Sequence, residues 1–358
     1  MIGAGVVGLS VAWLLQRQGH AVTLVDPRPG GPQAEGAGST AALGLLMAQV
    51  YRRSSGRGWR LRQQSLQLWQ AWRSDLQALG HQLPWRAGLL QLAHTEPELQ
   101  AQGRLAAERQ ARGMPLRLLS RDELHALQPA LPGAALGGLL SEQDGQLDPL
   151  PAMAALRADA LRRGLQERGE AAVRLERHAG GPQPWRLQLA GGESLLCDWL
   201  VVCAGLASPA LLEPLGHHRP QAPVLGQALE LQLSPTTADA CAWPGSISWD
   251  GLNLVPRPGQ RLWLGATLEP GSGPADPIAA AAALDHLRSL GGAAPDWLQQ
   301  ATVIRHWQGL RARPEGRPAP LLEQLEPGLL LASGHYRNGV LLAPATAAWA
   351  AEQIAAAP

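Results

Sequence analysis

The chain of 358 residues contains no lysine; all 30 of its basic side chains are arginine. That absence excludes a Schiff-base lysine for pyridoxal phosphate or aldolase chemistry, and it excludes a P-loop lysine. Phenylalanine is absent as well, and tyrosine occurs at Tyr51 and Tyr336 alone, so aromatic packing falls to 13 tryptophans. These losses, beside abundant arginine, alanine, glycine and proline, match GC-rich coding rather than a functional choice. Cysteine is scarce: Cys197, Cys203 and Cys241 have no metal-ligand spacing. An odd number in a chain large enough to need no staples fits a reducing compartment, so a cytoplasmic location is expected. Net charge is scarce too, at +1 from 30 basic and 29 acidic residues. There is therefore no electrostatic case for a nucleic-acid or anionic-membrane partner. Long apolar runs are missing: Val6 to Leu15 is too short and interrupted to span a bilayer and lacks the basic start of a signal peptide. It reads as a buried helix. The hydrophobic content of 46% is globular, and the length allows one large domain or two intimate ones.

What is present begins as strand, turn, helix, strand. Met1-Ile2 ends a strand, Gly3 to Gly8 forms a turn, Leu9 to Arg17 a helix closed by Gly19, and Ala21 to Asp26 a second strand. The first strand has two residues here, where such units carry ~5–6. The expectation is a true start codon upstream of Met1. A small-residue loop covers Gly30 to Gly44. Leu66, Trp69, Trp72, Leu76 and Leu79 recur at steps of three and four, giving one apolar helix face whose tryptophans read as core. Ala87 to Ala93 reads as a strand, Pro97 to Gln128 as a polar surface helix and Ser141 to Asp148 as a turn-rich segment. A helix from Pro149 follows, with Met153, Leu156 and Leu161 facing inward. Strand-like runs cover Ala172–Leu175, Trp185–Leu189 and Leu200–Cys203, the last apolar as a central parallel strand would be. Val224–Leu233, Leu252–Val255 and Arg261–Ala266 read as antiparallel strands. Residues 275–300 read as a helical excursion, Leu329–Ser333 as a buried strand, and Leu341 to Ala356 as an Ala-rich terminal helix. The expected fold is α/β (α+β overall): a Rossmann-like domain interleaved with a β-rich one. The expected segments are 1–75, 141–215 and 306–358 for the first, and 76–140 and 216–305 for the second.

Gly3, Gly5 and Gly8 match the spacing G-x-G-x-x-G at a strand–helix junction. The first glycine permits the tight turn, the second lets a pyrophosphate approach the backbone, and the third lets helix and strand pack closely. The helix N-terminus then offers unpaired N–H groups and a positive dipole end to the phosphates. Asp26, ending the next strand, can accept from ribose hydroxyls. The motif by itself does not separate FAD from NAD.

Later segments do. The fingerprint with Asp26, then 38–45 (GSTAALGL), 144–149 (DGQLDP), 201–205 (VVCAG) and 334–344 (GHYRNGVLLAP) resemble the D-amino-acid-oxidase-like FAD oxidoreductases, and within them the glycine oxidase group. Between them lie 254–257 (LVPR), 265–267 (GAT) and 309–311 (GLR). The resemblance implies noncovalent FAD, with contacts at Val6, Val7, Asp26, Pro27, Gly38, Ser39, Leu43, Gly44, Leu45, Val173 and Gly205. It adds His335, Tyr336, Arg337, Asn338, Gly339, Val340 and Leu341. N–H donors and the dipole of a helix starting after Gly339 would stabilise charge on the reduced flavin. It also implies that Arg311 and Arg337 grip a substrate carboxylate with paired hydrogen bonds, so positioning supplies much of the rate. His335 receives no acid–base role. None of the cysteines matches a position of covalent flavin attachment.

The chain departs from the glycine oxidase pattern on the substrate side. Asn253 stands where a tyrosine hydroxyl helps hold the carboxylate, Leu268 where some members have methionine, and Ala312 where proline is common. Residues 315–321 (EGRPAPL) also differ. The implied activity is oxidation of glycine, sarcosine or a small D-amino acid to an imine, then to an oxo acid and ammonia or amine. Oxygen would become hydrogen peroxide, with a role in thiamine (thiazole) synthesis. Three readings stay open beside it: a dehydrogenase passing electrons to a quinone, a non-catalytic flavin-binding protein, and an NAD-dependent dehydrogenase that shares only the fingerprint. A monomer and a homo-oligomer are both compatible with the composition.

Overall fold

The structure is a computed structural model that describes residues 1–30, 36–114, 116–181, 183–271 and 277–356. Residues 31–35 of the small-residue loop and 275–276 of the helical excursion lie outside the described residues.

Met1 and Ile2 are the seam of the first sheet. Ile2 bridges in parallel to both Val25 and Val202. Its N–H donates to the Val201 carbonyl at 3.0 Å, and its carbonyl accepts from Cys203 at 2.8 Å. Outward from this seam, Thr23–Val25 pairs in parallel with Gln166–Arg168, and Leu200–Val202 with Leu329–Ser333. Leu321–Glu326 closes that edge antiparallel. Alternating side chains of these strands enter two different cores. Val201, Leu330 and Ala332 pack with the helices Val6–Arg17, Gly56–Ala78, Pro149–Arg162 and Gly339–Ala355. Leu200, Val202, Leu329 and Leu331 pack under the small antiparallel sheet of Ala172–Arg177, Trp185–Leu189 and Ser194–Cys197. A sheet covered on both faces explains the uninterrupted apolar strands.

The second sheet runs, in order, Gly36–Ala37, Thr302–Pro314, Gln221–Gln232, Arg261–Gly265, Leu252–Arg257, Ser246–Trp249, Trp85–Ala93, Gly137–Leu147 and Leu45–Leu46. Residues 36–37, 45–46, 141–147 and 306–314 thus belong to this larger sheet, and the segment division expected from sequence cuts across it. Several local expectations are corrected. The stretch 141–147 is not a turn: it is the second half of the strand Gly137–Leu147, paired antiparallel with Trp85–Ala93, and Asp148 caps the helix that follows. Its polar residues bulge out where the register shifts between Ala87 and Leu89. The surface helix ends at Gln110, Gly113 turns with φ +70°, and Arg117–Ser120 is a strand on Gly137–Leu140 before the short helix Arg121–His125. Leu79 and Leu161 face solvent, at 41% and 37% exposure, because each falls where its helix ends.

The terminal helix Gly339–Ala355 starts two residues before the expected Leu341 and contains Pro344. Proline has no N–H, so the Val340 carbonyl four residues back loses its helical donor. Trp69 supplies the replacement: its Nε1 donates to that carbonyl at 2.8 Å. Ser65 enters the next turn, donating to the Leu341 carbonyl at 2.5 Å and accepting from the Ala345 N–H at 3.1 Å. Trp69 and Ser65 are fully buried on Gly56–Ala78, and Trp69 and Trp13 both pack edge-on against Trp72. The tryptophan face therefore fills core and also repairs a broken helix. Trp69→Phe should leave the Val340 carbonyl buried and unpartnered, costing about 1–3 kcal/mol. Trp72→Phe, which gives up similar volume but no such bond, should lower Tm less; thermal unfolding of the two variants compares them directly.

Candidate active site

A cavity of about 1080 Å³ is lined from both sheets. Its first wall is the glycine-rich turn. Gly3 has φ +100°, and a Cβ there would stand 2.6 Å from the Cys203 carbonyl oxygen. A Cβ on Gly8 would stand 1.9 Å from the Gly3 carbonyl oxygen, so Gly8 serves packing and is not a lining residue. Ser39 Oγ accepts from the Val6 N–H at 3.1 Å. The two Asp26 oxygens accept from the N–H groups of Ala4 at 2.8 Å and Arg28 at 2.9 Å, which ties the turn while leaving lone pairs for a sugar hydroxyl. Pro27, Gly38, Leu43, Gly44, Leu45 and Gly205 also line the cavity. Cys203 does too, and burial pushes its thiol up to about 12.

The second wall is the segment before the terminal helix. Tyr336 adopts φ +55°, and its N–H donates to the Ala312 carbonyl at 3.2 Å. Asn338 opens the helix without a side-chain cap, so its first N–H groups are left for whatever occupies the cavity beside Gly339 and Val340. His335 is buried with Nε2 2.8 Å from Thr346 Oγ1; desolvation, with Arg57 adding, holds its imidazole down to about 3 and therefore neutral. Leu341 is 1% exposed and faces the core, and Val173 is half exposed on the small antiparallel sheet; neither lines the cavity.

The third wall is the second sheet. Arg311 Nη1 donates to the carbonyls of Leu225 at 3.1 Å and Thr267 at 3.0 Å. No carboxylate pairs with it among the described residues. Burial first, and the like charge of Arg337 second, hold the Arg311 guanidinium below its usual range. The guanidinium fits because residue 226 is glycine: a Cβ there would stand 2.1 Å from Arg311 Nη2. Gly226 faces Gly309 across the strand pair. Sequence reasoning missed Gly226, although a glycine inside a strand is a signal of close approach. Arg337 is exposed and lines the same cavity. Asn253 is nine-tenths buried, and its Nδ2 donates to the Gly265 carbonyl at 3.2 Å. Leu268 is not a lining residue, whereas Ala312 is.

A clamp that the sequence did not reveal holds the loop after Leu46 over this cavity. The buried Asp144 carboxylate accepts from the N–H groups of Ala48, Gln49 and Val50, with distances of 2.7–3.1 Å. Burial nevertheless raises it to about 6. Arg109 donates to the Gln49, Tyr51 and Arg53 carbonyls. Tyr51, on this loop, stacks under Arg62 at 3.9 Å. Charge in the lining is one-sided: Arg28, Arg52, Arg62, Arg311 and Arg337 accompany the single acid Asp26 among the described residues. An uncapped helix start, a glycine cradle with helix dipole, and an arginine-rich wall fit an FAD with its diphosphate and an anionic co-substrate.

Comparisons with known proteins agree with this geometry. The family model FAD dependent oxidoreductase matches residues 1–353. The chain is 36% identical over 156 residues to the glycine oxidase of Pseudomonas putida, a match spanning 42% of this chain and 40% of that protein. It is 28% identical over 352 residues to the glycine oxidase of Geobacillus kaustophilus, spanning 97% of this chain and 89% of that protein. The crystal structure of glycine oxidase from Geobacillus kaustophilus is similar with a TM-score of 0.86 at 27% identity, over 99% of this chain and 93% of that one. With all but the last residues matched and the glycine cradle, helix start and arginine wall gathered on one cavity, the chain belongs to the FAD dependent oxidoreductase (DAO) family.

Proposed function

We propose that this enzyme is an FAD-dependent oxidase of a small amino acid or amine, of the glycine oxidase kind, with oxygen as acceptor. The observation that carries the reading is Arg311: a half-buried cation without a carboxylate in ion-pair contact among the described residues, lining the same cavity as the dinucleotide turn. Bound FAD supplies the two-electron acceptor; everything else is the work of side chains and backbone. The turn at Gly3–Gly8 and the Val6–Arg17 dipole would hold the diphosphate, and Asp26 a ribose. The N–H groups opening the terminal helix would hold the electron-rich edge of the ring. Arg311 and Arg337 would take the substrate carboxylate, which orients the neighbouring carbon. His335, neutral and bonded to Thr346, moves no proton in this scheme. The amine is oxidised to an imine, water releases the oxo acid and ammonia or amine, and oxygen is reduced to hydrogen peroxide. A supply role in thiamine (thiazole) synthesis rests on the same reading and requires glycine among the substrates. No helix among the described residues is long and apolar enough to cross a membrane; a cytoplasmic location is part of the proposal.

Anaerobic mixing with glycine, sarcosine and D-alanine should bleach the flavin with at least one of them, and air should restore it with one peroxide per turnover. Absence of bleaching with all three would remove the reading. Arg337→Ala should lower kcat/KM about 100-fold, or ~2.7 kcal/mol of transition-state stabilisation, without lowering Tm. Arg311→Ala should lower both, because Leu225 and Thr267 lose their donor.

The high pKa of the Cys203 thiol supports noncovalent flavin, since a thiolate is the attacking form. Acid precipitation should release the yellow colour into the supernatant; colour left in the pellet would contradict this. His335 also sets a pH dependence. The unfolded imidazole takes a proton near pH 6.5, while the folded one refuses it down to about 3. Its contribution to stability is therefore present above pH 6.5 and is lost as pH falls, by about 1.4 kcal/mol per unit. A His335→Gln variant should lack this component when unfolding is compared at pH 7 and pH 5.5.

A further inference from the structure

Both carbonyls that accept from Arg311 Nη1, those of Leu225 and Thr267, belong to residues tied to one carboxylate. The Thr267 hydroxyl donates to Glu269 Oε1 at 2.5 Å and accepts from the Gln227 N–H at 2.8 Å. The Thr267 N–H donates to the Gln227 carbonyl at 3.1 Å. Leu225 stands opposite Glu269 in the antiparallel ladder. The Gln227 amide completes the arrangement: Nε2 donates to Glu269 Oε1 at 2.9 Å, and Oε1 lies 2.9 Å from His306 Nε2. Thr267 and Gln227 are buried, so these bonds are made away from water. Three successive residues of one strand thus serve one guanidinium. Leu225 gives a carbonyl, Gly226 the space, and Gln227 the anchor that fixes Thr267.

A carboxylate this near Arg311 is a rival for the substrate's own. The charge of Glu269 reaches the guanidinium, yet the two are not in ion-pair contact. We propose that Thr267 is a positioning residue that keeps Arg311 open to the substrate carboxylate, its hydroxyl holding Glu269 aside while its carbonyl fixes the guanidinium; this rests on the amino-acid oxidase reading above. A hydroxyl and an amide on the same oxygen satisfy Glu269 without the cation. The donors that Arg311 does not spend on its two carbonyls then stay available to a ligand. Without the Thr267 hydroxyl, Glu269 is free to close on Arg311. A guanidinium already paired with a carboxylate of its own chain must break that pair before it can grip another.

The test uses the flavin-loaded enzyme and its Thr267→Val, Thr267→Ser, Glu269→Gln and Thr267→Val/Glu269→Gln variants. Acetate binding is followed by perturbation of the flavin spectrum. Anaerobic reduction by whichever of glycine, sarcosine and D-alanine bleaches the flavin gives Kd and the limiting rate separately. Thr267→Val, of the same shape but without the hydroxyl, should weaken acetate at least about tenfold, the share of affinity of one charge-assisted bond. Substrate Kd should rise with it, and the limiting rate should fall less. Thr267→Ser keeps the hydroxyl and should bind acetate within about threefold of the wild type. Glu269→Gln, which keeps an acceptor without the charge, should bind acetate more tightly than the wild type. The double variant should recover most of the affinity lost in Thr267→Val, a recovery that a merely loosened core would not give. Wild-type acetate affinity in Thr267→Val, a Thr267→Ser as weak as Thr267→Val, or a double variant no tighter than Thr267→Val would overturn the assignment while leaving the oxidase reading intact. Should Thr267→Val fail to fold, Glu269→Gln decides alone: weaker acetate binding there overturns the proposal. If no amine bleaches the wild type while the acetate affinities keep this order, the oxidase reading falls and Thr267 still positions an anion site.

Discussion

A half-buried cation, Arg311, with no carboxylate in ion-pair contact among the described residues is the constraint around which the cavity is arranged. Desolvation works against the Arg311 charge, Arg337 adds like charge, and the carbonyls of Leu225 and Thr267 satisfy one of its nitrogens. The donors left over suit an anion, because partial desolvation makes an unpaired charge more costly than an unpaired neutral dipole. The fold supplies space for that group by deleting a side chain at Gly226. It ties the Tyr336 N–H to the Ala312 carbonyl, which links the arginine strand to the segment that leads into the terminal helix.

The terminal helix shows how a functional helix start is bought with structure elsewhere. Pro344 removes a helical hydrogen bond within two turns of the N–H groups that face the cavity. The helix stays regular because Trp69 and Ser65, on a helix far away in sequence, complete the carbonyls of Val340 and Leu341. In a chain without phenylalanine, tryptophan does most aromatic packing, and its indole N–H then becomes available for such repairs. Trp13 uses its indole N–H differently, donating to the Asp159 carboxylate at 2.8 Å.

Much of the site was legible from residues alone. The glycine spacing, Asp26, the 334–344 motif and both arginines belong to short stretches whose backbone geometry is local, and they line one cavity. Val173 and Leu341, expected among the cofactor contacts, do not line it, because a motif names a neighbourhood and burial decides which members face inward. The segment at 141–148 looked like a turn from its Asp, Gly and Gln content. Pairing with Trp85–Ala93 overrode that local preference, and Asp144 found its use in capping the Ala48–Val50 backbone. Arg109 and Gly226 carried no motif, since their roles depend on partners about 58 and 85 residues distant in sequence, as Tyr51 and Arg311 show.

By itself the sequence determined a dinucleotide turn, α/β segments and a β-rich companion, which follow from periodicity and from glycines at set spacing, all of which are local. The cofactor class and the two arginines, Arg311 and Arg337, came instead from motifs that resemble a known family. Only the tertiary structure decided that two residues, Met1 and Ile2, join the halves of the first sheet, and that a tryptophan completes a proline-broken helix. It alone decided that the Asn253 amide spends its nitrogen on the Gly265 carbonyl and leaves its oxygen without a partner. The reason is the same in each case: which atom of a polar group is free depends on what the opposing strand or helix has already taken.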